Sequence, residues 1–283
     1  MKHIFNDTIV LLNDLENMEM LLKKGIEFSL NHQVPLQVIY VHETPLFQIP
    51  DIFLSKEKRL EGSLDKEVVK KGIEERIKAL GSTNQYAVFV YENDTLNRLL
   101  SLVRGRREVL VITRYQEELL SKLIAKTPFA YCVLKASKGV YEKIALPIDL
   151  EDDFHKCIET TQHLFTNGKI NLIHDYRFLQ ENFMVSEDYM GVAATSTQSE
   201  LEVLESLKEI QKETFYDYLE KYNVQGAFLE GDDVLYEDVI NYIKKNHFDV
   251  TILYRNEKEL LFTSSMIMGL MREIHTDFFV CQK

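Results

Sequence analysis

A chain of 283 residues with 45% apolar side chains is long enough for one large domain or two ordinary ones, with ample core material. Its formal net charge of −12 is uneven: residues 1–138 carry 20 Lys+Arg against 18 Asp+Glu, or +2, whereas residues 139–283 carry 13 against 27, or −14. So acidic a half repels phosphate backbones, which argues against nucleic acid as a partner, and no apolar run is long enough to span a bilayer.

In chain order, apolar β-branched runs alternate with amphipathic segments, the pattern of a parallel sheet covered by helices. The first half reads as strand DTIVLLND (7–14), helix NMEMLLKKGIEFSLNH, strand PLQVIYVHE, a variable stretch at 44–63, helix LDKEVVKKGIEERIKALG, strand YAVFVYEND, helix TLNRLLSLVRG, strand EVLVITR, helix ELLSKLIAKT and strand FAYCVLKA. The order then starts again. It runs KIALPID (143–149), helix DDFHKCIETTQHLFTNG, strand INLIHDY, a variable stretch at 177–199, the long helix SELEVLESLKEIQKETFYDYLEKYN, strand GAFLEGDD, helix YEDVINYIKKNHF, strand DVTILYR, helix SSMIMGLMREIHT and strand DFFVCQ.

Each half offers five strands and four helices in matching order. Asp14 and Asp149 close the first strands about 135 residues apart, and Asp94 and Asp232 follow the third strands at about 138, the near-constant offset of a duplication. The expectation is two tandem doubly wound five-stranded parallel-sheet domains, residues 1–137 and 141–283, with the boundary in ASKGVY (136–141). The second variable stretch, with Phe183, Met184, Tyr189 and Met190, reads either as a lid or as a surface loop.

Arg98, Arg104, Arg106 and Arg107 form the one basic cluster; read as a helix C-terminus, Arg104 complements the dipole and Gly105 ends the helix. Cys132, Cys157 and Cys281 have no metal-ligand or CxxC spacing, so buried reduced thiols are expected and no metal. His174, at the end of a second strand, lies on the edge where doubly wound sheets take ligands, and His42 stands at a comparable place in the first half. Asp152 and Asp153 read as favourable charges at a helix start. GxxxxGK[ST], GxGxxG after the first strand, HExxH and GxSxG are all absent, and no catalytic residue is named. The N-terminal MKHIFNDTIVLL has neither a long apolar stretch nor a cleavage site, so a cytoplasmic location is expected.

Two copies of this unit, with GDDVLYEDVINYIKKNHFDVTIL (231–253) in one of them, resemble the universal stress protein family in its tandem form. The resemblance extends to VLLNDLEN and ALPIDLED at the first strands, and to IAKTPFAYCVLK (124–135) and LMREIHTDFFVC (270–281) at the last helices and strands. It implies an adenine nucleotide alpha hydrolase-like fold, a role in stress response, and last strands that pair edge to edge as a pseudo-dimer, with further homo-oligomerisation open; with no nucleophile, oriented base or metal in the sequence pattern, a non-enzymatic role is expected. Members commonly bind ATP, with the first-strand Asp near the adenine and a Gly-x2-Gly-x9-Gly-Ser/Thr loop around the phosphates. Here YQEELLSKLIAKT has no glycine, and Glu117 and Glu118 stand near the place of Gly-Ser, so the first half is expected to hold no phosphate. In the second half the candidates for ATP or AMP are Asp149, His174, Arg255, Lys258, Ser264 and Ser265, with Ser264 as a possible helix N-cap, although YRNEKELL lacks both early glycines. Three functions follow: a regulatory module with degenerate nucleotide motifs, an ATP-binding protein with slow hydrolysis, or a sensor of a neutral or apolar small molecule.

Overall fold

A strand covered on both faces has no solvent side to keep polar, so continuous apolar runs become the inner strands of a parallel sheet. The computed structural model describes residues 5–43, 65–81, 85–106, 108–150, 154–176, 198–230, 237–255 and 260–282. Outside them lie Arg107, Asp152, Asp153, Asp232, Lys258, the stretch 44–63 and residues 177–197, with Phe183, Met184, Tyr189 and Met190. The chain divides into two units, Met1–Ser137 together with Val280–Gln282, and Lys138–Phe279.

In the first unit β1 (Asp7–Leu12), β4 (Val109–Arg114) and β5 (Ala130–Leu134) bury every residue except Arg114. β2 (Leu36–His42) sets Tyr40 beside Leu12, and β3 (Tyr86–Glu92) sets Glu92 beside His42, giving the strand order β3-β2-β1-β4-β5 with parallel pairing throughout. Between the strands run α1 (Met18–His32), α2 (Lys66–Ala79), α3 (Thr95–Leu102) and α4 (Glu117–Lys126). Local chemistry sets their ends. The Asp65 carboxylate accepts from Glu67 N and Val68 N, both at 3.2 Å, to start α2. Gln33 takes a left-handed φ of 54° to stop α1.

The second unit repeats the plan. β6 (Lys143–Pro147), β7 (Lys169–Asp175), β8 (Gln225–Leu229), β9 (Val250–Arg255) and β10 (Asp277–Gln282) stand in the order β10-β9-β6-β7-β8, the same arrangement read from the other end. Its helices are α5 (His155–Leu164), α6 (Gln198–Tyr222), α7 (Glu237–Asn246) and α8 (Leu260–Glu273). Two carboxylates fix how this sheet begins. Asp249 Oδ2 accepts from Glu142 N at 3.0 Å and Lys143 N at 2.9 Å, while Asp277, fully buried, accepts from Lys138 N and the Tyr141 hydroxyl, both at 3.0 Å. The Asp-hydrophobic-hydrophobic pattern in HFDVTI and HTDFFV thus marks strand starts whose acids collect the N–H groups of the chain entering β6.

α6 packs on β8 through Phe215, which is fully buried, and the approach is close enough to demand a glycine beneath it. A Cβ on Gly226 would meet Leu219 Cδ2 and Phe215 Cζ at 2.7 Å and the Leu172 carbonyl oxygen at 2.9 Å. Because one of those neighbours is backbone, relaxation of side chains alone does not relieve it. Gly226→Ala is therefore expected to destabilise the protein by about 1–3 kcal/mol in urea unfolding, with the loss confined to the second unit.

Candidate functional site

In a doubly wound sheet the carboxyl ends of the strands face the ligand edge, so the groups just past those ends form the candidate site in each unit. In the first unit they are engaged with one another. Asp14, two residues beyond β1, accepts from Asn17 N at 3.0 Å and Asn17 Nδ2 at 3.1 Å, and Arg114 Nη1 stands 3.8 Å from its other oxygen. Burial pushes the Tyr40 phenol upward, and the Asp14 charge adds to the shift. Glu43, just past β2, reaches the start of α3: it accepts from Thr95 N at 2.8 Å, the Thr95 hydroxyl at 2.5 Å and Asp94 N at 3.3 Å. Asn93 and Asp94 hold φ of 55° and 67°, a left-handed pair that Asn and Asp tolerate better than other side chains, and this turn presents those N–H groups to Glu43. Burial pushes the Glu43 carboxyl up, but the Thr95 hydroxyl and the N–H groups of Thr95 and Asp94 outweigh it and hold the carboxyl below its ordinary value.

The basic cluster disperses. Arg98 lies 5.2 Å from the centre of the Tyr91 ring, Arg106 Nη1 donates to Asp7 at 2.9 Å, and Gly105, with φ of 82°, turns the chain after α3. A hollow of about 460 Å³ between α1 and α2 is edged by Glu16, Glu19 and Glu75, and its Arg76 is already paired with Glu19.

The second unit's edge is more aromatic. His174 is 2% exposed and has a hydrogen-bond partner at each nitrogen: Nδ1 faces the Ile148 carbonyl oxygen and Nε2 faces Gln211 Oε1, both at 3.2 Å. Its ring packs against Phe228 at 5.3 Å and Phe215 at 6.4 Å, and Tyr176 stacks on Phe228 at 6.1 Å. Asp149 is half-buried, and Arg255, the last residue of β9, is buried at 2% exposure, so it offers no surface point charge. His42 does not match His174. Tyr40 stands beside Leu12 and Ile173 beside Pro147, so His174 is one residue past its register partner and His42 two, on opposite faces of their sheets.

One group was missed in the sequence. Lys208 and Lys212, one turn apart on α6, converge on Glu230 past β8, at 2.5 and 2.8 Å. Lys208 first and then Lys212 hold the Glu230 carboxyl below its ordinary value, and Glu230 raises both amines. Lys208 also lies 5.9 Å from the centre of the Tyr176 ring. The available signal was the i, i+4 lysine pair on a helix of otherwise acidic character. Ten residues of α6 precede Lys208, about 15 Å of helix. Among the described residues no group of three or more His, Cys, Asp and Glu is placed to hold a metal ion, and no helix is long and apolar enough to cross a membrane.

The sequence matches no family model and no curated protein. Solved structures do match. A universal stress protein from Archaeoglobus fulgidus aligns over 99% of this chain and 98% of its own, with a TM-score of 0.60 at 11% identity. A candidate universal stress protein from Pseudomonas aeruginosa aligns over 98% and 93%, with a TM-score of 0.60 at 13% identity. A functionally unknown protein from the same species aligns over 98% and 92%, at 0.59 and 12%. The fold is that of the universal stress proteins.

Of the expected nucleotide positions, Asp149, His174 and Arg255 fall at the strand ends of the second unit, past β6, late in β7 and at the end of β9. Glu117 and Glu118 lie in the first turn of α4, where their charge compensates the helix dipole; hydrogen bonding to Lys122 at 2.7 Å draws the Glu118 carboxyl down. Ser264 is not an N-cap: α8 begins at Leu260, so Ser264 and Ser265 lie in its second turn, because the run from Leu260 has no glycine or proline to stop the helix there. Lys258 lies outside the described residues.

Glu43 supplies the test of the first unit's self-filled edge. Its folded pKa is depressed, so its stabilising share is complete above the ordinary value of 4.5 and is lost as pH falls below it. Glu43→Gln is expected to cost about 1 kcal/mol at pH 7, the size of a helix-capping contact, and the difference from wild type should vanish in acid; urea titrations at both pH values measure it.

Proposed function

We propose that this chain is a tandem universal stress protein acting in the cytoplasm as a non-enzymatic regulatory module, its first unit closed to nucleotide and its response to a small molecule carried by the second. The observation that carries this reading is the Glu43 carboxylate on the Thr95 and Asp94 N–H groups, together with Asp14 held by Asn17 and Arg114. Amides and cations that would meet an anionic ligand at that edge are already committed to the chain's own carboxylates. In support of a non-enzymatic role, Asp14 is paired with Arg114, Glu43 caps the start of α3, and Lys208 and Lys212 are both held by Glu230.

For the second unit the half-buried Phe228 ring, backed by buried Tyr176 and His174, favours a neutral or apolar ligand over ATP or AMP. A thermal-shift screen separates the readings. A ligand at about 100 times its Kd adds about 2.7 kcal/mol to the state it binds, several degrees of melting temperature for a unit of this size. ATP, AMP and cyclic nucleotides are expected to leave the transition within about 1 °C, and a neutral metabolite to raise it by several degrees. A rise of several degrees with ATP that Asp149→Ala abolishes would replace this reading with a nucleotide-binding second unit.

A further inference from the structure

Asp149 follows Ile148, and Ile148 is gripped twice. Its N–H donates to the Ile173 carbonyl oxygen at 2.8 Å, and its own carbonyl oxygen accepts from His174. A carbonyl oxygen can only accept, so Nδ1 of His174 must carry a proton. The other nitrogen meets Gln211, whose amide can present either its oxygen or its NH2 group. A neutral ring takes a hydrogen bond from the NH2 group; a protonated ring gives one to Oε1. Gln211 therefore satisfies both states by turning its amide, and water is not needed at a ring only 2% exposed.

We propose that His174 is a positioning residue, a two-ended latch that holds the end of β6, and with it Asp149, in register with α6. Phe215 and Phe228 keep the ring in its plane between the two partners. The ring thus ties β7 both to the end of β6 and to α6, so the place of α6 at this edge is set in part by the imidazole. The charged groups on the elements packed around the ring are Asp149 past β6, Asp175 on its own strand, Lys208 and Lys212 on α6, Glu230 past β8 and Arg255 on β9. Lys208 and Lys212 are bound to Glu230, which leaves Gln211, a neutral group, as the contact with Nε2.

The consequence for ligand response rests on the reading of this edge given above; the latch itself is tested without ligand. In the full chain, nitrogen-15 shifts of the His174 ring should show a proton on Nδ1. Asn and Gln then divide the two ends, since an Asn amide reaches the place of Nδ1 and a Gln amide that of Nε2. Hydrogen exchange at the Ile148 and Asp149 amides is expected to stay within about threefold of wild type in His174→Asn and to quicken about tenfold in His174→Gln. A proton found on Nε2 alone in the wild-type ring overturns the proposal, and that result is read even if both variants fold poorly. Equal exchange in the two variants overturns it as well. If the latch behaves as described while no metabolite in the thermal screen shifts the melting temperature, the ligand reading fails and the positioning role stands.

Discussion

A backbone N–H at the carboxyl end of a parallel strand can serve a ligand or the chain itself, and this protein gives most of the ones described to the chain. In the first unit Glu43 accepts the N–H groups of Asp94 and Thr95, and Asp14 accepts that of Asn17. Each carboxylate sits where an anionic ligand would have to sit to use the same donors. The penalty for losing the acceptor falls on Thr95, the one buried residue of the three: an amide left buried without a partner is penalised more than its hydrogen bond is worth.

The same economy governs the opposite end of the strands. Asp249 and Asp277 take the N–H groups of Lys138, Glu142 and Lys143 and the hydroxyl of Tyr141, so the segment entering β6 is fixed before the sheet begins. In the first unit Asp7 plays a related part with other partners, Arg106 at 2.9 Å and Gln37 at 3.1 Å. The two units share a strand order and differ in how they satisfy its ends. Order is set by the alternation of apolar runs and crossovers, which drifting sequences retain, whereas end chemistry depends on single residues and is free to diverge.

Much of this was legible in the residues because it is local. The runs DTIVLL, VLVITR and AYCVL predict buried strands and become them, and the amphipathic segments become helices within a few residues of their expected ends. The start of α8 was misplaced because Ser264 is a good N-cap, yet Leu260 and Leu261 ahead of it are good helix formers and the helix runs through. Pairs distant in sequence were not legible at all. Glu43 and Thr95 are 52 residues apart and His174 and Gln211 are 37 apart, and no period connects them. The likeness of His42 to His174 failed for a subtler reason: a single residue of register puts a side chain on the other face of a sheet.

Charge at the second unit's edge needs the same attention to scale. The balance of −14 over residues 139–283 invites the conclusion that every anion is repelled. At physiological ionic strength, however, exposed charges beyond about 8 Å are largely screened, so the groups at the edge itself decide. Those described there are Asp149, Asp175 and Glu230 against Lys208, Lys212 and Arg255, three of each sign, with both lysines committed to Glu230 and Arg255 buried. Locally the edge is balanced. An anion finds no uncommitted surface cation among these groups, and a cation finds its strongest acceptor, Glu230, already held by two amines. What surrounds His174 at this edge is aromatic, with buried Tyr176 stacked on half-buried Phe228, so the ring is held by packing rather than by charge.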